Sequence, residues 1–143
     1  MKNLLTLFGI GHIKFGASWA SLVACIVYFD IFYFLTNYNY LNGVVFLLVL
    51  FFSLRLLKKN NVEGDPKEIV VDEFLGMLLC LMISGTQSFS AILILFVLFR
   101  IIDNLKVPPF HLLEKVGGVS GILWDDIGIG LAIGIVARLL FLI

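Results

Sequence analysis

The chain has 143 residues, 61% hydrophobic and only 14% charged, where soluble domains run about 45–50% and about 25%. Ten Lys and Arg balance ten Asp and Glu, and the mean hydropathy is +1.08. A disordered chain and a basic nucleic-acid-binding surface are therefore excluded, and one soluble core of this size could not hide so much apolar surface. The composition predicts an all-α fold, a polytopic membrane bundle forming one domain over residues 1–143.

Five candidate spans follow in chain order, each a mostly apolar run approaching the roughly 17–25 residues that a spanning helix needs. They cover about Ala17 to Leu35, Leu41 to Leu57, Ile69 to Ile83, Phe89 to Leu105 and Ile122 to Ile143. The third and fourth are short, so four spans plus a re-entrant piece is the alternative count. Before the first, Lys2 and the apolar stretch Leu4–Ile10 imitate a secretory signal. His12 and Lys14 interrupt it, so this segment is expected along the membrane surface and not cleaved. Cys25 and Cys80 both fall inside apolar runs and read as embedded thiols, not as a disulfide or zinc site. The aromatic run Tyr28, Phe29, Phe32, Tyr33, Phe34, Tyr38 and Tyr40 reads as an outer interfacial belt.

Sidedness follows from the cations. Lys2 and Lys14 lie at the N-terminus, Arg55, Lys58, Lys59 and Lys67 after the second span, and Lys106 and Lys115 after the fourth. The loops Thr36–Tyr40 and Ser84–Ser88 carry no charge. The positive-inside rule then puts the N-terminus in the cytoplasm and the C-terminus outside.

On this topology the carboxylates gather. Asp65 and Glu68 precede the third span, Asp72 and Glu73 lie about one turn into it, and Asp103 ends the fourth. Asp125 and Asp126 lie about one turn into the fifth, and only Asp30 falls near the opposite face. Several carboxylates, with Arg100 and Lys106, are thus expected to converge at the inner membrane boundary. Ionisable groups in a span need a partner or a task, and the adjacent pairs Asp72-Glu73 and Asp125-Asp126 repel unless a cation neutralises them. Oxygen ligands suit Mg²⁺, which could orient an attacking water, with Arg100 and Lys106 as clamps for phosphate oxygens.

Plainer roles compete with each of these. Asp65-Pro66-Lys67-Glu68 has the form of a helix start with Asp65 as N-cap. Arg100 and Asp103 fit an i,i+3 ion pair. Asp72 and Glu73 fit interfacial charges, and Asp125 and Asp126 fit partners of a helix dipole. His12 and His111 have no second ligand at metal spacing. Gly130 and Gly134 mark close helix packing, and Gly117-Gly118 and Gly121 a turn. The sequence lacks a Cys-x5-Arg loop, an Asp-x-Asp, a P-loop and a G-x-S-x-G elbow. For an enzyme, that leaves a metal-activated water as the nucleophile.

Three segments carry a resemblance. Asp65 to Gly76 is similar to the "DPxxIVxDExxG" segment of the phosphatidylglycerophosphatase A family, Leu98 to Lys106 to its "LFRxFDxxK", and Gly121 to Gly130 to its "GIMxDDxxAG". Its "APGTxGSL" is replaced here by Phe15 to Leu22, which keeps a hydroxyl at Ser18 beside the cation Lys14. Its "KPxPI" becomes Lys106-Val107-Pro108-Pro109-Phe110. The resemblance implies a Mg²⁺-dependent phosphomonoesterase of the bacterial inner membrane. It would hydrolyse phosphatidylglycerol phosphate to phosphatidylglycerol and phosphate on the cytoplasmic side, a step towards cardiolipin. Asp72, Glu73, Asp125 and Asp126, with Asp65 as a further candidate, would hold the metal. Asp103, Glu73 or Asp126 would act as base, and Arg100, Lys106, Lys14 and Ser18 would bind the phosphate. Two rivals stand beside this reading. One is a small cation- or proton-coupled transport or assembly protein; the other is a phosphatase of another lipid such as phosphatidic acid.

Overall fold

A computed structural model of the chain describes residues 3–34, 40–59, 67–105 and 121–141, with the side chains of 32–34, 122 and 141 excepted. Its regular elements in these segments are all helices. A short 3-10 turn, Ile10–His12, leads into α1 (Gly16–Phe34), α2 (Tyr40–Lys59), α3 (Val71–Ser84), α4 (Phe89–Leu105) and α5 (Gly121–Phe141). Each helix coincides, within a few residues at either end, with an apolar run legible in the sequence.

The 14-residue α3 is the centre of the bundle, and α1, α2, α4 and α5 all pack against it. Its residues Leu75, Met77, Leu78, Cys80 and Leu81 are fully buried, so every face of the helix is in contact with protein. It stops at Gly85, whose φ of 63° and N–H bond to the Leu81 carbonyl form a left-handed C-cap, a conformation that glycine adopts without steric cost. By contrast α2 is peripheral. Its buried residues Asn42, Phe46, Ser53 and Leu57 form one stripe at helical spacing, while Leu47, Phe51 and Phe52 are at least half exposed.

Glycines set the closest helix contact. A Cβ on Gly130 would meet the carbonyl of Gly76, one on Gly76 would come within 2.5 Å of the Asp126 carbonyl, and one on Gly134 within 2.9 Å of the Cys80 carbonyl. The contacts advance together along both helices, from Gly76 opposite Asp126 and Gly130 to Cys80 opposite Gly134, so α3 and α5 run parallel. Phe99 of α4 abuts Gly76 as well.

Three local expectations are corrected. The helix carrying Asp72 starts at Val71, later than the Asp65-Pro66-Lys67-Glu68 signature implies, of which Asp65 and Pro66 lie outside the described residues. Lys67 and Glu68 form a turn, and the Val70 N–H donates to the Leu5 carbonyl, a bond outside the helix. The N-terminal segment is docked on the bundle: Leu5, Thr6 and Leu7 are buried. Tyr28 does not belong to an exposed belt, because it is buried and its hydroxyl donates to the Thr86 carbonyl at 3.1 Å. Tyr40 is exposed. Cys25 and Cys80 are buried free thiols.

Among the described residues one helix, Tyr40–Lys59, is long and apolar enough to cross a membrane. At about 1.5 Å per residue, α3 reaches only about 21 Å against a hydrocarbon core of about 30 Å. The longer α5 carries Asp125, Asp126 and Arg138.

Candidate active site

The parallel contact of α3 with α5 decides where the carboxylates go. Asp72 lies one turn before Gly76, and Asp126 one turn before Gly130, so the glycine contact draws the two acidic pairs to the same end of the bundle. One carboxylate oxygen from each of Asp72, Glu73 and Asp126 lies within 4.8 Å of the others. Asp72 and Asp126 are each 5% exposed. From α4, the Asp103 carboxyl comes within hydrogen-bonding reach of Asp126 and close to Glu73. Asp125, partly buried, is the neighbour of Asp126 in sequence but is not one of the three converging carboxylates.

Arg100 is the cation that faces them. Its Nη1 lies 2.7 Å from Oδ2 of Asp103, with the two side chains 13% and 21% exposed, so the i,i+3 pair expected from sequence does form. The pair leaves Arg100 Nε buried with no hydrogen-bond partner among the described residues, and Oε2 of Glu73 is in the same condition. An unpartnered donor on Arg100 and an unpartnered acceptor on Glu73 thus both belong to the acidic cluster.

Two full charges at 4.8 Å repel by about 3–4 kcal/mol at an effective dielectric of about 20. Among the described residues one guanidinium, already paired, faces two buried carboxylates, the partly buried Glu73 and the neighbouring Asp103. The arrangement fits a bound cation. All the donors are carboxylate oxygens, which suits a hard divalent ion, and Glu73 offers an oxygen that the protein leaves unpaired. The helix dipole does not account for Asp125 and Asp126. They lie in the second turn of α5, whose first turn has no acid, and the dipole effect fades beyond the first turn. Asp72 and Glu73 do occupy the first turn of α3.

The remaining sequence candidates fall elsewhere. Lys14 is exposed, with its ammonium 5.3 Å from the centroid of the Phe15 ring, and it forms no ion pair with the cluster. Ser18 is half-buried in the first turn of α1. Asp65 and Lys106 lie outside the described residues, as do His111, Lys115, Gly117 and Gly118. His12 is 3.9 Å from Glu68, both more than half exposed, a pairing that contributes little. What sequence reasoning missed is Gly76, whose lack of a side chain lets the two acidic pairs approach. The signal was available: Gly76 follows Asp72 at the spacing by which Gly130 follows Asp126.

The Phosphatidylglycerophosphatase A family model matches residues 3–141. The chain belongs to the phosphatidylglycerophosphatase A family. Over 73 residues it is 39% identical to the phosphatidylglycerophosphatase A of Escherichia coli, a stretch covering 50% of this chain and 42% of that protein. Over 127 residues it is 29% identical to a Bacteroides thetaiotaomicron protein provisionally named phosphatidylinositol-3-phosphatase, covering 84% of this chain and 80% of the relative. No solved structure gives a significant match. Family and relatives together support a lipid phosphatase.

Proposed function

We propose that this protein is a membrane-embedded, Mg²⁺-dependent phosphatase that removes the terminal phosphate of phosphatidylglycerol phosphate. The observation that carries the proposal is the convergence of Asp72, Glu73 and Asp126, joined by Asp103, in a member of a family named for that reaction.

Asp72, Glu73, Asp125 and Asp126 would hold the metal, with Asp65 as a further candidate. The ion supplies charge neutralisation at the phosphoryl group and lowers the pKa of a bound water. Arg100 directs its spare Nε–H at a phosphate oxygen, a contact suited to its forked, permanently charged head. The Asp103 carboxylate, fixed by the same guanidinium, accepts a proton from the attacking water. Water adds to phosphorus, the P–O bond to the lipid glycerol breaks, and the leaving alkoxide takes up the proton that Asp103 accepted from the water. Lys106, Lys14 and Ser18 would be secondary phosphate contacts.

The carboxylates sit at the end from which α3 and α5 start, and the cations that precede α3 in sequence, Arg55, Lys58, Lys59 and Lys67, support a cytoplasmic-facing site by the positive-inside rule. Large exposed side chains such as Leu47, Ile94, Val136 and Leu140 support several spans in one bacterial inner-membrane domain. They would be costly in water and are at no disadvantage in lipid. A second reading keeps the chemistry and changes the headgroup, and the Bacteroides relative's name favours it. Phosphate release from phosphatidylglycerol phosphate, phosphatidylinositol 3-phosphate and phosphatidic acid by one purified preparation separates the two. The proposal expects the first to be turned over fastest; a preference for either other lipid would replace it.

A further inference from the structure

Between α4 and α5 lies a groove of about 310 Å³ whose lining, among the described residues, is apolar throughout. It exists because α4 packs on α5 far less closely than α3 does. Leu95 and Ile133 form its buried floor, and Leu98 and Val136 stand exposed along its rim. One end is marked by Ile102, the residue immediately before Asp103; the other reaches Leu140. From Ala132 to Leu140 the groove follows α5 for about 12 Å, and Ala132 lies about 9 Å beyond Asp126 along the same helix.

Among the described residues no side chain lining it could satisfy a polar ligand, and an unpaired polar group there would be penalised. Its Ile102 end is the end towards the carboxylates, with Asp103 the next residue along α4 and Arg100 two residues before Ile102. A ligand that suits both has a phosphate at one end and hydrocarbon at the other. We propose that the groove receives one acyl chain of the lipid substrate and so holds the phosphate end against the carboxylate cluster. The proposal rests on the lipid phosphatase reading. For a protein surrounded by lipid the gain is positional, since the chain leaves one apolar medium for another. The groove fixes the direction from which the phosphate arrives.

The test compares a dioleoyl substrate with a dibutyryl analogue of the same headgroup, for the wild type and for Ala132→Phe and Val136→Trp. Ala132 is partly buried; Val136 is exposed on the rim, so at least the second variant is expected to fold. The ratio of kcat/KM for the long-chain to the short-chain substrate should fall about tenfold in both variants. An unchanged ratio overturns the groove while leaving the phosphatase reading intact; equal losses on both substrates overturn it too, because the groove then serves the fold or a second copy's helix. A wild type inactive on both lipids sinks the phosphatase reading, and the groove's assignment with it.

Discussion

Glu73 is where burial and charge conflict most sharply. Its Oε2 is buried without a hydrogen-bond partner among the described residues, two other carboxylates lie within 4.8 Å, and Arg100 is already engaged by Asp103. If this group exists to hold a cation, Glu73→Gln and Asp126→Asn should each lower phosphate release by about a hundredfold or more. Both variants should still insert and keep their helical circular dichroism. Near-normal release from either would contradict the assignment. Arg100 gives a second prediction. Arg100→Ala should raise KM and lower kcat together, because it removes a phosphate donor and frees the Asp103 carboxylate. Arg100→Lys should recover only part of the loss, since an ammonium cannot contact Asp103 and a phosphate in the forked geometry. Full recovery by Lys, measured in the same assay, would reduce Arg100 to a simple positive charge.

At the scale of the element, the contact between α3 and α5 holds the site together. A side chain on Gly130 would collide with the Gly76 carbonyl, and backbone cannot yield as a flexible side chain can. Gly130→Val should therefore destabilise the bundle by about 1–3 kcal/mol or more and separate the acidic pairs, so activity falls with thermal stability. Gly43→Ala makes the control. A Cβ there meets only Met82 Cε, at 3.7 Å, so the change should be neutral or stabilise by up to about 1 kcal/mol. Thermal unfolding in detergent checks both, and equal effects would remove the special role of the α3–α5 contact. The helices themselves were legible as apolar runs, and the gathering of the acids followed from alternating helix directions. The apolar run from Ile69 placed the start of α3 close to Val71, but its capping was not legible. The Asp65-Pro66 capping signature is local, whereas the bond from Val70 to Leu5 joins segments far apart in sequence, and it decides where the helix begins. Tyr28 was misread for a similar reason: an aromatic run shows amphipathic side chains but not which of them finds a carbonyl such as that of Thr86.

For the whole molecule, the account requires polarity. The carboxylates occupy one end of the bundle, while the Ser84–Ser88 loop, with Arg138 against Gly85, closes the other. In a Cys25→Ser, Cys80→Ser background, Lys67→Cys should react with an impermeant maleimide only when the cytoplasmic side is opened. Gln87→Cys should react in intact spheroplasts. Both positions are exposed, so labelling of both from one side would refute the topology and with it the inner-leaflet substrate. The central claim is that the carboxylate cluster works through a divalent cation on a lipid phosphate. The most direct measurement is phosphate release from phosphatidylglycerol phosphate by the purified protein, with Mg²⁺ and then with excess EDTA. The account predicts release with Mg²⁺, its loss in EDTA and its return when Mg²⁺ is restored. Release that persists in EDTA, or none at all from folded protein supplied with Mg²⁺, would contradict it.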